Sequence, residues 1–212
     1  DAGFGIFAAD MDGDGDMDIV SASANDDAIA WYENDGDENP SWTAADIATT
    51  ADGARSVYVA DIDRDGDLDI VAASYEDDPI SMYLNDGNAD PSWSASDVAT
   101  SADGAHSVFV ADMDNDGDMD IVSASWEDDA IAWYENTTAA PDTPSFTAAT
   151  ITTSANGARS VYAVDMDGDG DIDVLSASYN DDKIAWYENS GPDATAPSTP
   201  TGLVATPGDA QV

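Results

Sequence analysis

Carboxylates are the residues in this chain whose type and spacing can do chemistry. Four nine-residue loops carry them: Asp10-Met11-Asp12-Gly13-Asp14-Gly15-Asp16-Met17-Asp18, then Asp61-Ile62-Asp63-Arg64-Asp65-Gly66-Asp67-Leu68-Asp69. The others are Asp112-Met113-Asp114-Asn115-Asp116-Gly117-Asp118-Met119-Asp120 and Asp165-Met166-Asp167-Gly168-Asp169-Gly170-Asp171-Ile172-Asp173. Each loop puts five carboxylates on alternate positions. Two like charges held about 4 Å apart cost roughly 4 kcal/mol at an effective dielectric near 20, so side chains that converge this way call for a cation. A hard divalent ion fits, and Ca²⁺ fits best, because its flexible shell takes six to eight oxygens from carboxylates, carbonyls and water. Positions 1, 3, 5 and 9 are expected to offer side chains, and position 7 (Asp16, Asp67, Asp118, Asp171) its backbone carbonyl. The glycine at position 6 permits the sharp turn. One ion per loop predicts about four Ca²⁺ per chain.

Other chemistries have little material. The 212 residues include one His, one Lys and no Cys, so nucleophile-and-base arrangements and thiolate metal sites are disfavoured. Lys and Arg total 4 against 46 Asp and Glu, a formal charge of −42, so nucleic acid and anionic membranes are repelled and cations attracted. Four Ca²⁺ would neutralise only a fifth of that charge, and a saline extracellular setting would screen the rest. No apolar run approaches the roughly 20 residues needed to span a bilayer. With 42% hydrophobic residues the chain is nonetheless too apolar for a disordered acidic tail.

The elements that must hold the loops are read from the repeat. Asp10, Asp61, Asp112 and Asp165 stand in register at intervals of 51, 51 and 53 residues. The two extra residues fall in the Thr/Ala/Pro-rich stretch 137–144, a loop that tolerates insertion. In the second repeat, residues 56–60, 70–74, 80–84 and 93–99 are short runs rich in β-branched and aromatic residues, bounded by Asp, Asn, Gly and Pro. They read as four strands per repeat, and four short antiparallel strands at a period near 50 predict the blades of a β-propeller. A β-solenoid is the rival, though its coils usually repeat at shorter periods. The fold class is therefore all-β, with repeats at about 1–51, 52–102, 103–156 and 157–190.

The third strand of each repeat carries a recurrent motif, residues 29–34 (Ile-Ala-Trp-Tyr-Glu-Asn), repeated at 131–136 and 184–189 and varied to Ile-Ser-Met-Tyr-Leu-Asn at 80–85. Recurrence at one place predicts that these aromatics fill the space between blades. A second set in register is Phe4, Arg55, His106 and Arg159. It is expected either to pair with nearby acids such as Asp52 and Asp103 or to form a partly cationic ring. An EF-hand is disfavoured because position 12 is Ser21, Ala72, Ser123 or Ser176 rather than Glu, and the flanks read as strands.

With the Asp-x-Asp-x-Asp-Gly-x-x-Asp loop followed by an aliphatic strand in all four repeats, residues 1–190 resemble the FG-GAP and VCBS-type repeats, the calcium-loop blades of integrin-α-like propellers. The resemblance lacks the Phe-Gly…Gly-Ala-Pro signature, of which only Phe4-Gly5 remains, and so points to the microbial secreted branch. It implies loops whose calcium rigidifies each blade, with ligand contacts made elsewhere. Residues 191–212 change composition abruptly and resemble a linker and the first strand of a fibronectin type III domain.

The segment before the first loop is expected to be cut short, and the fourth repeat lacks a counterpart of residues 93–99, so an incomplete ring is expected. An open edge invites strand addition and head-to-tail assembly of copies. The functional expectation is a secreted or cell-surface module that binds protein or carbohydrate or builds an extracellular structure. The alternative is a calcium-dependent, lyase-like polysaccharide-active enzyme, for which Arg55, His106 and Arg159 would be the basic cluster. Asn136-Thr137-Thr138 matches a glycosylation sequon by pattern.

Overall fold

Alternation within short, turn-bounded runs produces strands throughout the computed structural model, which describes residues 3–77, 79–138 and 143–190. The first sheet contains β1 (Gly3–Ala9), β2 (Asp18–Ser23), β3 (Ala28–Asn34) and β4 (Trp42–Ala48). The second contains β5 (Ala54–Ala60), β6 (Asp69–Ser74), β7 (Ile80–Asn85) and β8 (Trp93–Ala99). The third contains β9 (Ala105–Ala111), β10 (Asp120–Ser125), β11 (Ala130–Asn136) and β12 (Phe146–Thr152), and the last β13 (Ala158–Val164), β14 (Asp173–Ser178) and β15 (Lys183–Tyr187). Each sheet is an antiparallel meander in chain order. This is the blade arrangement of a propeller.

Two details differ from or refine the sequence reading. The first strand is not cut short, since β1 matches β5 in length and in its pairing with the next strand. The last sheet has three strands among the described residues. The 191–212 segment, read as a linker and fibronectin-like start, lies outside the described residues, as does part of the 137–144 insertion. No helix of the described residues is long and apolar enough to cross a membrane.

The apolar core lies between successive sheets. Val20, Ile29 and Trp31 of the first pack on Val57, Ile70 and Tyr83 of the second. Val71, Ile80 and Met82 of the second meet Val108, Ile121 and Tyr134 of the third. Val122, Ile131 and Trp133 of the third meet Val161, Val174 and Tyr187 of the last. The recurrent Trp or Met of the third strand is thus a core residue: Trp31, Met82 and Trp133 are all buried. The first strands lie side by side, and Phe7, Tyr58, Phe109 and Tyr162 form a row with ring centroids 4.9, 4.8 and 4.6 Å apart.

Among the described residues the same pattern leaves two apolar faces without a sheet. Ile6 is 77% exposed, whereas its equivalents Val57, Val108 and Val161 are 4–6% exposed. Ile184 is 56% exposed, whereas Ile29, Ile80 and Ile131 are fully covered. Met166 repeats the contrast with Met11, Ile62 and Met113.

Candidate metal centres

Each acidic loop links the first strand of a blade to the second, and its own carboxylates fold it. The amide of position 5 donates to the position-3 carboxylate at 3.1–3.2 Å, and that of position 7 donates to position 5 at 2.8–3.0 Å, in all four loops. The position-6 glycine amide donates to the position-1 carboxylate in three of them, at 3.0–3.1 Å. That glycine sits at φ of 94–100°, a conformation strained for any residue with a Cβ. These short-range bonds are those of Asx-turns, which explains why Asp at alternate positions folds the loop locally.

Position 9 anchors the loop to the sheet. Asp18, Asp69, Asp120 and Asp173 open the second strand and are almost fully buried. Each accepts the position-2 amide on one oxygen, from Met11, Ile62, Met113 or Met166, at 2.9–3.1 Å. The other oxygen accepts the amide of Asn34, Asn85, Asn136 or Asn189 at 2.7–2.9 Å. Burial pushes the Asp69 and Asp120 carboxyls up to about 7, against the pull of those amides. The position-3 carboxyls, Asp12, Asp63, Asp114 and Asp167, are likewise raised, by desolvation first and by neighbouring aspartates as well.

What remains of each loop converges. One oxygen from each of Asp61, Asp63 and Asp69 lies within 4.8 Å of the others, as do oxygens of Asp112, Asp114 and Asp120, and of Asp165, Asp167 and Asp173. In the first loop the group is Asp10, Asp12 and Asp14. Two oxygens on one Ca²⁺, each about 2.3–2.6 Å from it, are separated by at most about 5 Å. The spacing therefore admits a single ion. Asp10 and Asp61 each keep one buried oxygen, Oδ1, with no hydrogen-bond donor, a state that a cation would satisfy. The donor set is all oxygen, as a hard cation prefers.

Of the expected ligands, positions 1 and 3 meet in every loop, position 9 joins them in three and position 5 in one. The position-7 side chains turn elsewhere. Asp118 forms an ion pair with Arg64 of the preceding loop, and Asp171 Oδ1 accepts from Asn115 Nδ2 at 3.2 Å. The Asp67 carboxylate lies over Gly87, where a Cβ would overlap it. This leaves position 7 its backbone carbonyl to offer.

Two sets of connecting residues escaped the sequence reading. The asparagine ending each third strand reaches back with its amide. Asn85 Nδ2 donates to Leu68 O at 3.2 Å and across to Met11 O of the preceding loop at 3.0 Å. Asn136 does the same to Met119 O and Ile62 O, and Asn189 to Ile172 O and Met113 O. Asn34, in the first blade, donates to Met17 O. The other set is position 4, where Arg64 ties the second loop to the third and Asn115 the third to the fourth. Strict recurrence of the asparagine in the third-strand motif was the available signal for the first set.

Arg55, His106 and Arg159 neither form ion pairs with Asp52 or Asp103 nor gather as a bare cationic ring. They interleave with rings from the ends of the second strands. Arg55 lies 4.4 Å from the Phe4 centroid and 4.6 Å from that of Tyr75, and Arg159 lies 4.6 and 4.5 Å from Trp126 and Tyr179. His106 sits between Tyr75 and Trp126 at 6.3 and 6.4 Å. Desolvation, then the charges of Arg55 and Arg159, hold His106 below its ordinary value and so neutral. In an acidic chain, stacking on aromatic faces makes these cations part of the packing between blades.

Comparison with known proteins agrees with the repeat organisation and the fold. A family model described as FG-GAP-like repeat matches residues 10–72, 61–123, 113–176 and 165–212. No curated protein sequence matches the chain. Among solved structures the chain is similar to an Agrocybe aegerita lectin, described under specific recognition of non-reducing terminal N-acetylglucosamine, with 21% identity and a TM-score of 0.58 over 94% of this chain and 51% of that one. The chain thus spans about half the length of that lectin, and at this identity the likeness speaks for the fold alone.

Proposed function

We infer that this chain, which belongs to the FG-GAP-like repeat family, is a non-catalytic extracellular binding module whose blades are held rigid by one Ca²⁺ per acidic loop. The observation that carries the reading is the convergence of three carboxylate oxygens within 4.8 Å in all four loops. The proposed ligands are Asp10, Asp12 and Asp14, then Asp61, Asp63, Asp65 and Asp69, with their equivalents in the third and fourth loops, joined by the carbonyls of Asp16, Asp67, Asp118 and Asp171. The ions are structural in this reading. Position 9 already spends an amide bond on each oxygen, so an ion there completes the corner between loop, second strand and third strand.

Carbohydrate is the ligand class this reading favours, from the lectin-like fold and from a surface that repels polyanions. Catalysis is disfavoured because the basic residues a lyase would use are stacked between rings. The open apolar faces at Ile6 and Ile184 support a second reading for partners, head-to-tail addition of another copy, since three such faces are covered by a sheet within the chain itself. The primary test is isothermal titration of EDTA-stripped protein with Ca²⁺, with bound metal counted by elemental analysis. About four ions per chain is the expected stoichiometry. A chain that takes up none would overturn the reading.

A further inference from the structure

The second blade departs from the others in its middle strands, and two of the departures, Pro79 and Ser81, line one cleft. A cavity of about 620 Å³ opens between the outer strand of the first blade and the outer strands of the second, lined by Ala48, Thr50, Pro79, Ser81, Tyr83 and Asp97 among others. This volume lies within the range of about 300–1,000 Å³ usual for small-molecule sites. The cleft sits by the turns joining second to third strands, away from the acidic loops.

Its polar groups are not those of the repeat. In the third and fourth blades the tyrosine hydroxyl of the third strand bonds a serine of the second strand: Tyr134 to Ser123 at 3.3 Å and Tyr187 to Ser176 at 3.2 Å. In the second blade that serine is replaced by Ala72. Tyr83 instead shares the cleft wall with Ser81, two residues before it on the same strand, where the other blades have Ala30, Ala132 and Ala185. Ser81 in turn donates to Asp97 Oδ1 at 3.2 Å, directly across the strand pair. The first blade has Asp46 at the equivalent place but pairs it with Ala30, and the third pairs Thr150 with Ala132. A tyrosine, serine and carboxylate grouped on one cleft wall are thus found only in the second blade among the described residues. Structural repetition does not account for a group found in a single repeat.

We propose that this cleft is a binding site for a neutral sugar residue. The inference rests on the carbohydrate-binding reading above and assigns it a place. The walls supply the Asp77 and Asp97 carboxylates and the hydroxyls of Ser81 and Ser96, beside apolar Ala48 and Pro79. Among the described residues, no Lys, Arg or His lines the cleft. Such a surface accepts hydrogen bonds from ligand hydroxyls and covers C–H faces, while two carboxylates exclude an anion. A site built to hydrogen-bond a polyol discriminates strongly against analogues that leave its groups unpaired.

The test is a titration at saturating Ca²⁺ with D-glucose, D-galactose, D-mannose, N-acetyl-D-glucosamine and D-glucuronate, read by isothermal calorimetry and by protein NMR shifts. At least one neutral sugar is expected to bind, with shifts at Ser81, Tyr83 and Ser96, and D-glucuronate is not. Ser81→Ala and Asp97→Ala are expected to weaken binding by about 10-fold or more, as loss of a hydrogen bond to a charged group does. Ala72→Ser, which gives Tyr83 the partner that Tyr134 and Tyr187 have, is expected to weaken binding while thermal unfolding stays unchanged. Asp46→Ala serves as the control and should leave binding intact. If a sugar binds but Ser81→Ala and Asp97→Ala leave it unaffected, the site lies elsewhere and this inference falls while the carbohydrate reading stands. If none of the neutral sugars binds to folded, calcium-loaded protein, both fall. Preferential binding of D-glucuronate overturns the assigned chemistry.

Discussion

Stripping the loops of metal is the perturbation whose size the structure sets most directly. In the second and third loops three carboxylate oxygens lie within 4.8 Å of one another. At that distance a pair of like charges costs about 1 kcal/mol at the dielectric of water and about 3.5 kcal/mol at an effective dielectric near 20, so three pairs cost about 3–10 kcal/mol per loop. A folded domain holds only about 5–15 kcal/mol of net stability, so even one loop without a counter-ion consumes much of it. From the bound side, an ion at 100 times its dissociation constant adds about 2.7 kcal/mol, and four independent sites about 11 kcal/mol. At roughly 2–4 °C per kcal/mol for a chain of 150–250 residues, EDTA is expected to lower the unfolding midpoint by more than about 20 °C. Differential scanning calorimetry with and without EDTA measures this.

The pH trend provides a second arm of the same experiment. The buried carboxyls of Asp69 and Asp120 hold their protons up to about 7 in the metal-free fold, well above the ordinary carboxyl range. The folded state therefore binds more protons across that window, and metal-free protein should be more stable near about pH 5 than near about pH 8. These two carboxyls outweigh His106, which acts in the opposite sense. Calcium should reverse the trend, because ions hold the carboxylates ionised and protons compete with them. A midpoint that moves by less than about 3 °C on chelation would refute the electrostatic reasoning, because that is roughly one kcal/mol.

Three further outcomes are expected. Asn136→Ala should cost about 2–3 kcal/mol in denaturant unfolding, since it leaves the Ile62 and Met119 carbonyls without their donor. Asn34→Ala, whose amide donates to Met17 O but to no neighbouring loop, should cost about 1 kcal/mol less; equal losses would refute the bridging role. His106 is neutral in the fold because burial and two arginines depress it, so the unfolded chain binds the proton more readily. Its contribution is fully present above a pH of about 6.5 and lost as pH falls below it, so a His106→Phe variant should show a flatter acid limb than the parent in matched thermal scans. At the open faces, Ile184→Asp should abolish any concentration-dependent association seen by analytical ultracentrifugation, while Trp42→Asp, on an exposed outer strand, should leave it unchanged.

Local chemistry made the loops legible in the sequence. Asp at alternate positions with Gly at position 6 folds through bonds spanning two to five residues, and a motif that short is written whole in the chain. The strands were equally legible, since β-branched runs between Asp, Gly and Pro fell within one or two residues of β5 to β8. Four occurrences in register carried the fold, because repetition shows which residues share a place even when no single one reveals its partner.

What the sequence left open depends on separation along the chain. Asn85 reaches Met11 across 74 residues, and Arg55 lies on Tyr75 and Phe4 rather than on the nearby Asp52; neither contact follows from spacing within one repeat. The cleft is a clearer case. Ser81 and Asp97 read as ordinary variation until the antiparallel register places them opposite each other against the first blade. The sequence by itself determined where cations should gather, because that chemistry is local. Only the tertiary structure decided which faces stay open and where a ligand has room, because both depend on how one sheet meets the next.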